Sequence, residues 1–320
     1  MPPRALRFLI LAAGLALAAA VIVILIVGDE DAPNASCNGS EELCDRPLDE
    51  VSFAATHNSM SAADQPGWRF TQQERGIGPQ LDAGIRGLLI DMYYGSPTSR
   101  GVQNVPLNKV TDRARPVGVG RDVYLCHTVC AFGATRATDA LRDVHDFLAA
   151  HPREVLLISI EDHIRPRDVA RVFERSGLDR YVWRGRLGRR RLPTLRKMID
   201  RDERVVAMAE HRTGGVPWLR DQFDLVQETP YRFTTPAQVA AESSCRANRG
   251  NARNPLFLLN NWVDTSPLPR PSNAAAVNAQ ATLLRRARMC QRLRGRLPNL
   301  VAVDFYEEGD VGDVVAELNR

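Results

Sequence analysis

Short hydrophobic runs recur along the chain, separated by longer stretches of mixed polarity. They are at most eight residues long, rich in β-branched side chains and almost free of polar positions. That pattern is typical of strands buried on both faces of a parallel sheet. The predicted strands span residues 51–56, 87–94, 122–126, 154–161, 204–210, 223–227, 255–262 and 299–306.

Helical spacing of apolar residues appears between these runs. Residues 165–177 close on a glycine, and residues 273–295 form the longest such stretch. A helix over residues 137–152 would have an apolar side formed by Ala137, Leu141, Val144, Phe147 and Leu148. Strands alternating with helices predict an α/β fold, a (β/α)8 TIM-barrel-like domain. The weakly patterned stretch 213–254 is expected to cover part of the barrel mouth.

The N-terminus predicts a membrane segment. Arg4 and Arg7 precede an uncharged apolar run that ends at Val27. About 20 apolar residues suffice to cross a bilayer, and positive charges before them keep that end in the cytoplasm. A transmembrane anchor in residues 1–27 is favoured over a cleaved signal peptide, whose apolar core is usually ~7–15 residues. Either alternative exports the remainder, which we divide into a linker and disulfide-closed loop (28–50) and a barrel (51–320).

Export bears on the cysteines, because an even number in an oxidising compartment is typical of disulfides. A metal site at residues 126–130 is the alternative, but the adjacent Cys126 and His127 cannot easily reach one ion. A redox pair would more usually have the spacing Cys-x-x-Cys. Pairing by neighbourhood predicts Cys37–Cys44, Cys126–Cys130 and Cys245–Cys290.

Composition and charge exclude one class of partner. The formal net charge is +4, and it falls to +2 without the first 27 residues, which hold two arginines and no acid. This is not the balance of a nucleic-acid-binding protein, so no nucleic-acid partner is expected.

Polar side chains cluster where the hydrophobic runs end, which is the end at which barrels build their sites. They include His57, Asn58, Asp91, His127, Glu161, Arg212, Trp262 and Asp304. If the first and third runs are barrel strands, His57 and His127 face each other across the mouth. Two imidazoles suit phosphodiester cleavage, since one can take a proton from the attacking hydroxyl while the other protonates the leaving oxygen.

A cation site is a second expectation. Asn58, Asp91 and Glu161 offer oxygen ligands, which suit a hard cation such as Ca²⁺ or Mg²⁺. The cation would neutralise charge developing on a phosphate. The alternative is that both carboxylates form salt bridges with arginines.

Four segments carry a resemblance to a known family. "ATHNSM", "QLDAGIRGLLIDMYYG", "LCHTVC" and "VLLISIEDH" resemble segments of the phosphatidylinositol-specific phospholipase C X-domain family, the PLC-like phosphodiesterases. Further segments around residues 37–53, 255–262 and 301–310 look like an exported microbial branch. The resemblance covers residues 37–318.

The resemblance implies a distorted TIM barrel in which the substrate's own inositol hydroxyl attacks phosphorus and releases diacylglycerol. It implies that His57 and His127 are the catalytic pair. Asn58, Asp91 and Glu161 match three of the four ligands of the calcium-using members. Leu89 stands at the place of the fourth ligand. Metal-independent bacterial members carry an arginine at the position of Asp91, so the carboxylate resembles the calcium users.

The sequence thus predicts a membrane-anchored or secreted phosphodiesterase that cleaves a phospholipid or glycerophospho-compound at a membrane surface. Arg212, Trp262 and Asp304 are predicted to contact the substrate. Two alternatives stay open. One is a sphingomyelinase-D-like or other enzyme of different head-group choice. The other is a non-catalytic cell-surface binding module, which Leu89 favours and the retained histidines oppose.

Overall fold

The computed structural model describes residues 36–109, 120–188, 192–265 and 268–320. One compact unit, Cys37–Arg320, contains every described helix, strand and disulfide. The predicted membrane segment 1–27 lies outside the described residues. Within the described ranges, no helix is both long enough and apolar enough to cross a membrane.

Parallel strands form a curled sheet, as predicted for an α/β fold. Its hydrogen-bonded order is β8-β7-β6-β2-β1-β11-β10-β9, so chain neighbours lie side by side around the curl. In the described part of the chain the curl is open between β8 and β9, and it is therefore not a closed barrel. The strands are β1 Phe53–Thr56, β2 Gly87–Thr98, β6 Leu156–Asp162, β7 Val205–Ala209, β8 Arg220–Asp221, β9 Val226–Glu228, β10 Leu256–Asn261 and β11 Leu300–Val303.

The predicted strand 122–126 is real but is not one of the parallel strands. β2 runs past the sheet edge as an extension that pairs antiparallel with β3 (Gly101–Asn104) and β4 (Asp122–Leu125). β4 pairs in turn with β5 (Thr135–Arg136). The expectation that His127 ends a third barrel strand is therefore wrong, and β6 takes that place. The extension packs tightly, since a Cβ at Gly95 would lie 2.5 Å from Val102 Cγ1.

Helices connect the parallel strands, and the predicted apolar faces are buried. All five apolar residues predicted for one side of the helix Ala137–Ala150 are buried. The predicted helix 273–295 is broken at Ala279, because the buried Asn278 side chain bonds to Asn261 and to the backbone of Asp304. The helices are α1 Ile77–Asp82, α2 Ala137–Ala150, α3 Pro166–Ser176, α4 Leu195–Asp200, α5 Gln222–Leu225, α6 Pro236–Ala240, α7 Pro271–Asn278, α8 Gln280–Arg294 and α9 Val311–Leu318.

Two hydrophobic cores lie on the two faces of the sheet. Along β6, Leu156, Ile158 and Ile160 pack outward against the helices, while Leu157 packs inward. The other strands alternate in the same way, because successive side chains of a strand point to opposite faces. The inward core is apolar near the amino ends of the strands, whereas the inward residues nearer the carboxyl ends are polar.

All six cysteines of the sequence form disulfides, with the pairing predicted from their neighbourhood. Cys37–Cys44 closes a segment that packs into the inner core through Leu43 and Leu48. Asn38 there bonds to both backbone groups of Val155, just before β6 begins. This disulfide therefore lies at the amino ends of the parallel strands, opposite the end where polar residues gather.

Candidate active site

Strand phase brings the polar residues together at the carboxyl ends of the parallel strands. Inward-facing Ala55, Leu157 and Ala302 belong to the inner core. His57 and Asp304 lie two residues after Ala55 and Ala302, and Glu161 lies four residues after Leu157, so all three share the same face. The same phase gives this inward set: His57, Asp91, Glu161, Glu210, Glu228, Asn260, Trp262 and Asp304. All of them line one cavity of about 440 Å³.

Strand register joins His57 to Asp304. Thr56 pairs with Val303 between β1 and β11, so the residues that follow them are neighbours. His57 Nδ1 lies 2.8 Å from Asp304 Oδ1, and the His57 backbone N–H donates to Val303 O at 2.9 Å. Burial raises the pKa of Asp304 although the adjacent imidazole opposes this.

Trp262 fixes the plane of the His57 ring. The two rings are stacked with centroids 3.8 Å apart and an interplanar angle of 1°. Trp262 is buried, so it acts on His57 as a positioning residue in addition to lining the cavity. Asp304 is likewise placed to hold the His57 ring, in addition to lining the cavity.

His127 reaches the same cavity from the antiparallel extension. β4 runs back toward the sheet, with Leu125 paired to Met92, and Met92 is paired to Asp162 at the carboxyl end of β6. His127 follows two residues later, inside the loop closed by Cys126–Cys130. Its Nδ1 lies 3.4 Å from Gln72 Nε2.

The loop around His127 holds an unusual backbone. Thr128 has φ +58°, a left-handed conformation that is costly for a β-branched residue. Asn104 bonds to the loop twice, from its Nδ2 to Thr128 O and from the Cys130 N–H to its Oδ1. Burial lowers the pKa of His127 from its ordinary value, and the nearby His57 lowers it further.

The predicted cation ligands are also brought together. Asp91 and Glu161 are direct partners in the register of β2 and β6, so their side chains share the inner face. Burial raises the pKa of Asp91 well above its usual range, and Glu161 and Glu210 add to the rise. Asn58 is buried, and its Nδ2 finds no hydrogen-bond partner among the described residues.

The salt bridges to arginine that were considered for Asp91 and Glu161 are formed by other carboxylates. Glu161 Oε1 lies 2.8 Å from His163 Nε2, and this hydrogen bond lowers the pKa of Glu161. Arg249 instead bridges Glu210 and Glu228, each at 2.6 Å. In the described ranges, no three His, Cys, Asp or Glu side chains are arranged to hold a metal ion. The predicted ligand set differs from such a group, because it consists of Asp91, Glu161 and the amide of Asn58.

The predicted site residues did not include the cluster of Glu210, Glu228 and Arg249. Both glutamates follow the inward phase of β7 and β9, a signal that was readable once the strands were aligned. Arg249 comes from the weakly patterned stretch 213–254, where no periodicity marks it. Its guanidinium also lies over the rings of Phe223 and Tyr231, at 4.5 and 5.0 Å.

Arg212 is the predicted site residue that the structure places elsewhere. It is not among the residues that line the cavity, and its guanidinium lies 3.8 Å from Asp162 Oδ2. Asp162 is out of phase with Glu161 and also accepts the His211 backbone N–H at 2.7 Å. Arg212 therefore lies outside the cavity lining, with an exposed side chain beside Asp162.

The cavity is strongly acidic. Its described lining holds six carboxylates against the two guanidinium groups of Arg232 and Arg249, a formal charge of −4 with neutral imidazoles. Such a cavity repels an anionic phosphodiester unless protons or a bound cation offset the charge.

Comparisons with known proteins identify the family of the chain. The profile of the PI-PLC X family matches residues 116–319. A PI-PLC X domain-containing protein of Arthroderma benhamiae is 27% identical over 290 residues, covering 86% of each chain. One of Arabidopsis thaliana is 26% identical over 313 residues, covering 92% of this chain and 65% of that protein.

Solved structures show the same fold at low identity. The phosphatidylinositol-specific phospholipase C of Listeria monocytogenes gives a TM-score of 0.53 at 16% identity, covering 87% of this chain and 98% of that one. The Staphylococcus aureus enzyme gives 0.56 at 14% identity, covering 87% and 95%. Together with the family match over well more than half of the sequence, these findings show that the chain belongs to the PI-PLC X family.

Proposed function

We propose that the protein is a phosphodiesterase that cleaves a phospholipid head-group phosphodiester by general base and general acid catalysis from His57 and His127. The observation that carries the proposal is that both imidazoles line one cavity, and that a buried carboxylate holds the first of them. Family membership and the fold of the phospholipase C enzymes support a phosphodiesterase of this type.

His57 is suited to be the base. The Asp304 carboxylate can only accept, so Nδ1–H donates to it and Nε2 is left able to take a proton. In the proposed step a hydroxyl oxygen forms a bond to phosphorus and gives its proton to His57. The bond from phosphorus to the leaving oxygen breaks, and His127 supplies the proton to that oxygen. If the hydroxyl belongs to the head group, the first product is a cyclic phosphodiester.

A divalent cation fits the donor set at the base of the cavity. Asn58, Asp91 and Glu161 would hold it, and the partnerless Asn58 amide can present its oxygen after a half-turn of the side chain. Ca²⁺ bound there would supply positive charge to a developing phosphorane. The acidic lining and the raised pKa of Asp91 favour this site, because burial, and after it repulsion from Glu161 and Glu210, disfavours the Asp91 carboxylate, and a cation would offset both.

Location and substrate follow from the same features. Three disulfides indicate an oxidising compartment, and a relative of Arthroderma benhamiae is described as a secreted protein. An extracytoplasmic enzyme, anchored by the N-terminal segment or released, would meet phospholipid at a membrane surface. The acidic wall of Glu210 and Glu228 and the ring of Tyr231 suit a head group rich in hydroxyls.

A product-identified lipid panel tests the function. The full chain in mixed micelles should cleave phosphatidylinositol and release diacylglycerol, with a cyclic phosphate as the first head-group product. Release of choline from sphingomyelin or a lysolipid would instead support the alternative, an enzyme of different head-group choice. Failure to cleave any phosphodiester, with Ca²⁺ present, would favour the non-catalytic binding module.

Calcium binding has a readout that does not depend on turnover. Ca²⁺ at a hundred times its dissociation constant should stabilise the fold by about 2.7 kcal/mol, seen as a rise in the thermal melt. Asp91→Asn should abolish that rise while melting no lower than wild type without calcium, because it removes a carboxylate whose ionisation is disfavoured by burial and then by Glu161 and Glu210. Asp264→Asn, an exposed carboxylate of the same lining, is the matched control and should keep the response. An unchanged wild-type melt would remove the calcium site.

A further inference from the structure

Two consecutive glutamines, Gln72 and Gln73, contact both histidines of the cavity. Both side chains are buried, and Gln72 also lines the cavity. Their backbone N–H groups both donate to Ser61 O, at 3.0 and 2.9 Å, which fixes them against the loop that follows β1. Because a buried polar side chain normally has a hydrogen-bond partner, the contacts of the two amides indicate what each of them holds.

Gln73 holds the side of the site that carries His57. Its Nε2 donates to His57 O at 2.8 Å and to Val303 O at 3.1 Å. Its Oε1 accepts the Tyr306 backbone N–H at 3.3 Å. These backbone groups lie at the carboxyl ends of β1 and β11 and just beyond them. The amide of Gln73 therefore joins the two strand ends from which His57 and Asp304 project.

Gln72 belongs to the same side of the site by its backbone. Its carbonyl oxygen accepts the Phe305 N–H at 2.7 Å, and Phe305 directly follows Asp304. Phe305 has φ +45°, a left-handed conformation that is uncommon for a bulky residue. The hydrogen bond therefore fixes Gln72 at the turn from which the Asp304 side chain reaches His57.

The side chain of Gln72 reaches the other histidine. Its Nε2 lies 3.4 Å from His127 Nδ1, and its Oε1 is buried without a hydrogen-bond partner among the described residues. The oxygen and nitrogen of an amide exchange places by a half-turn of the side chain. In that orientation His127 Nδ1–H donates to Gln72 Oε1. A separation of 3.4 Å is long for a hydrogen bond, and catalytic hydrogen bonds of substrate-free enzymes often tighten when substrate binds.

The protonated His127 ring selects the orientation with the amide oxygen toward it. An imidazolium donates from both nitrogens, and the Gln72 Nε2 group would face Nδ1–H with a second donor. With Oε1 toward the ring, Nδ1–H is held and Nε2–H is left for the leaving oxygen of the substrate. After that proton is transferred, His127 is neutral with its hydrogen on Nδ1, and Nε2 can accept a proton again.

We infer that Gln72 is the positioning residue of the general acid, because its amide oxygen accepts from His127 Nδ1–H while its backbone is tied to the turn after Asp304. The inference rests on the proposed function, since it names the group that orients one of the two proposed proton carriers. Asp304 and Gln72 then have parallel roles, a carboxylate for the base and a neutral amide for the acid. A carboxylate favours an imidazolium more strongly than an amide does, so the neutral partner leaves His127 readier to release its proton.

Gln72→Met and Gln72→Glu test this role on the full chain in mixed micelles. Methionine keeps the volume of the side chain but removes the acceptor, so the variant should melt close to wild type. Its kcat should fall roughly 10- to 100-fold with KM little changed, the range for a hydrogen bond to a charged group. Glutamate keeps the acceptor and adds a charge, so kcat should largely recover and the alkaline limb of kcat/KM should move to higher pH by about one unit or more. A merely structural glutamine would show the opposite order, because a buried carboxylate without a partner costs more than a thioether.

Ring-nitrogen NMR of the histidines gives a readout that needs no turnover. Burial and His57 lower the pKa of His127 in the free protein, whereas Glu161 and Asp264 raise it. The His127 signals, identified by their absence in His127→Ala, should show a neutral ring with its hydrogen on Nδ1. Gln72→Glu should keep the ring protonated to higher pH, and Gln72→Met should allow both tautomers.

Gln103→Glu is the matched control, because Gln103 is exposed on β3 and adds the same charge to the surface. It should leave kcat, the alkaline limb and the His127 tautomer as in wild type. The inference is overturned if Gln72→Met keeps wild-type kcat, or if Gln72→Glu leaves the pKa of His127 unchanged. It is also overturned if the control raises that pKa as far as Gln72→Glu does.

Failure of this inference and failure of the proposed function are distinguishable. A His127 ring whose pKa responds to Gln72→Glu, in a protein that cleaves no phosphodiester, would support the contact and refute the enzyme. Phosphodiester cleavage with wild-type kcat in Gln72→Met would do the reverse.

Discussion

His57→Ala and His127→Ala should each reduce kcat for phosphodiester cleavage by about 10³-fold or more. Proton transfer by a positioned side chain contributes typically ~10²–10⁴-fold, and each substitution removes one of the two transfers. His57→Ala also leaves the buried Asp304 carboxylate without the imidazole that it holds at 2.8 Å. The measurement is single-substrate kinetics on the lipid identified by the panel.

Stability controls separate chemistry from folding. Both histidines lie on the cavity rather than in the packed core, so His127→Ala should melt close to wild type and His57→Ala somewhat lower, because Asp304 loses its partner. His145→Ala, on α2 and remote from the cavity, is the matched control and should retain full activity. Wild-type turnover in either cavity variant would refute the pair.

The pH profile assigns the acid. His127 must carry a proton to act as the acid, so activity is present below its pKa and lost as pH rises through it. Its pKa is lowered from the ordinary value of about 6.5, by partial burial and by His57. The alkaline limb of kcat/KM should therefore lie below that value. A bound phosphodiester anion raises the pKa again, so the limb of kcat should lie at higher pH. Residual activity in His127→Ala should show no such limb.

The inward phase of the strands accounts for most of what the sequence could predict. Hydrophobic runs with a polar residue at the end located the parallel strands, and the polar residues at those ends, His57, Asp91, Glu161 and Asp304, do reach one cavity. The period of two carries this information, because it fixes the face of each side chain once the strand is known. Extending the same count would also have selected Glu210 and Glu228.

The features that could not be predicted from the sequence depend on contacts between segments that are distant along the chain. The run at 122–126 has the composition of a buried strand, and only the register with the β2 extension shows that it is antiparallel. Arg249 lies in an irregular stretch, and its position is set by two buried glutamates rather than by local pattern. Arg212 has the right place at a strand end but the wrong partner, since Asp162 holds it outside the cavity.

The opening of the curl between β8 and β9 was likewise invisible in the pattern. The predicted strand 223–227 contains the turn of helix α5, so only Val226–Glu228 remain for β9. Asp221 caps that helix by accepting the N–H groups of Phe223 and Asp224. A helix between two short strands removes the residues that would otherwise close the ring.

Removing the Cys126–Cys130 disulfide should reduce kcat by about 30-fold while lowering stability only modestly. The bond closes a loop of four residues' separation, for which the chain-entropy model gives about 2 kcal/mol of stabilisation. The same bond confines the left-handed backbone of Thr128, a conformation that costs about 1–3 kcal/mol and relaxes once the loop is free. Relaxation of about 2 kcal/mol depopulates the aligned His127 and corresponds to about 30-fold in rate.

The Cys37–Cys44 disulfide is a matched control for this prediction. It has a similar separation of seven residues, similar burial and a similar expected stabilisation of about 2 kcal/mol, but it lies at the opposite ends of the strands. Cys126→Ala/Cys130→Ala should therefore melt no lower than Cys37→Ala/Cys44→Ala, because relaxation of Thr128 offsets part of its loss, and only the former should lose turnover. Equal turnover in the two variants would show that Asn104 and Gln72 suffice to hold His127, and that the disulfide contributes stability alone. A rate loss confined to the first variant would instead make the covalent closure part of the alignment of the general acid, since the two variants differ only in which end of the strands is released.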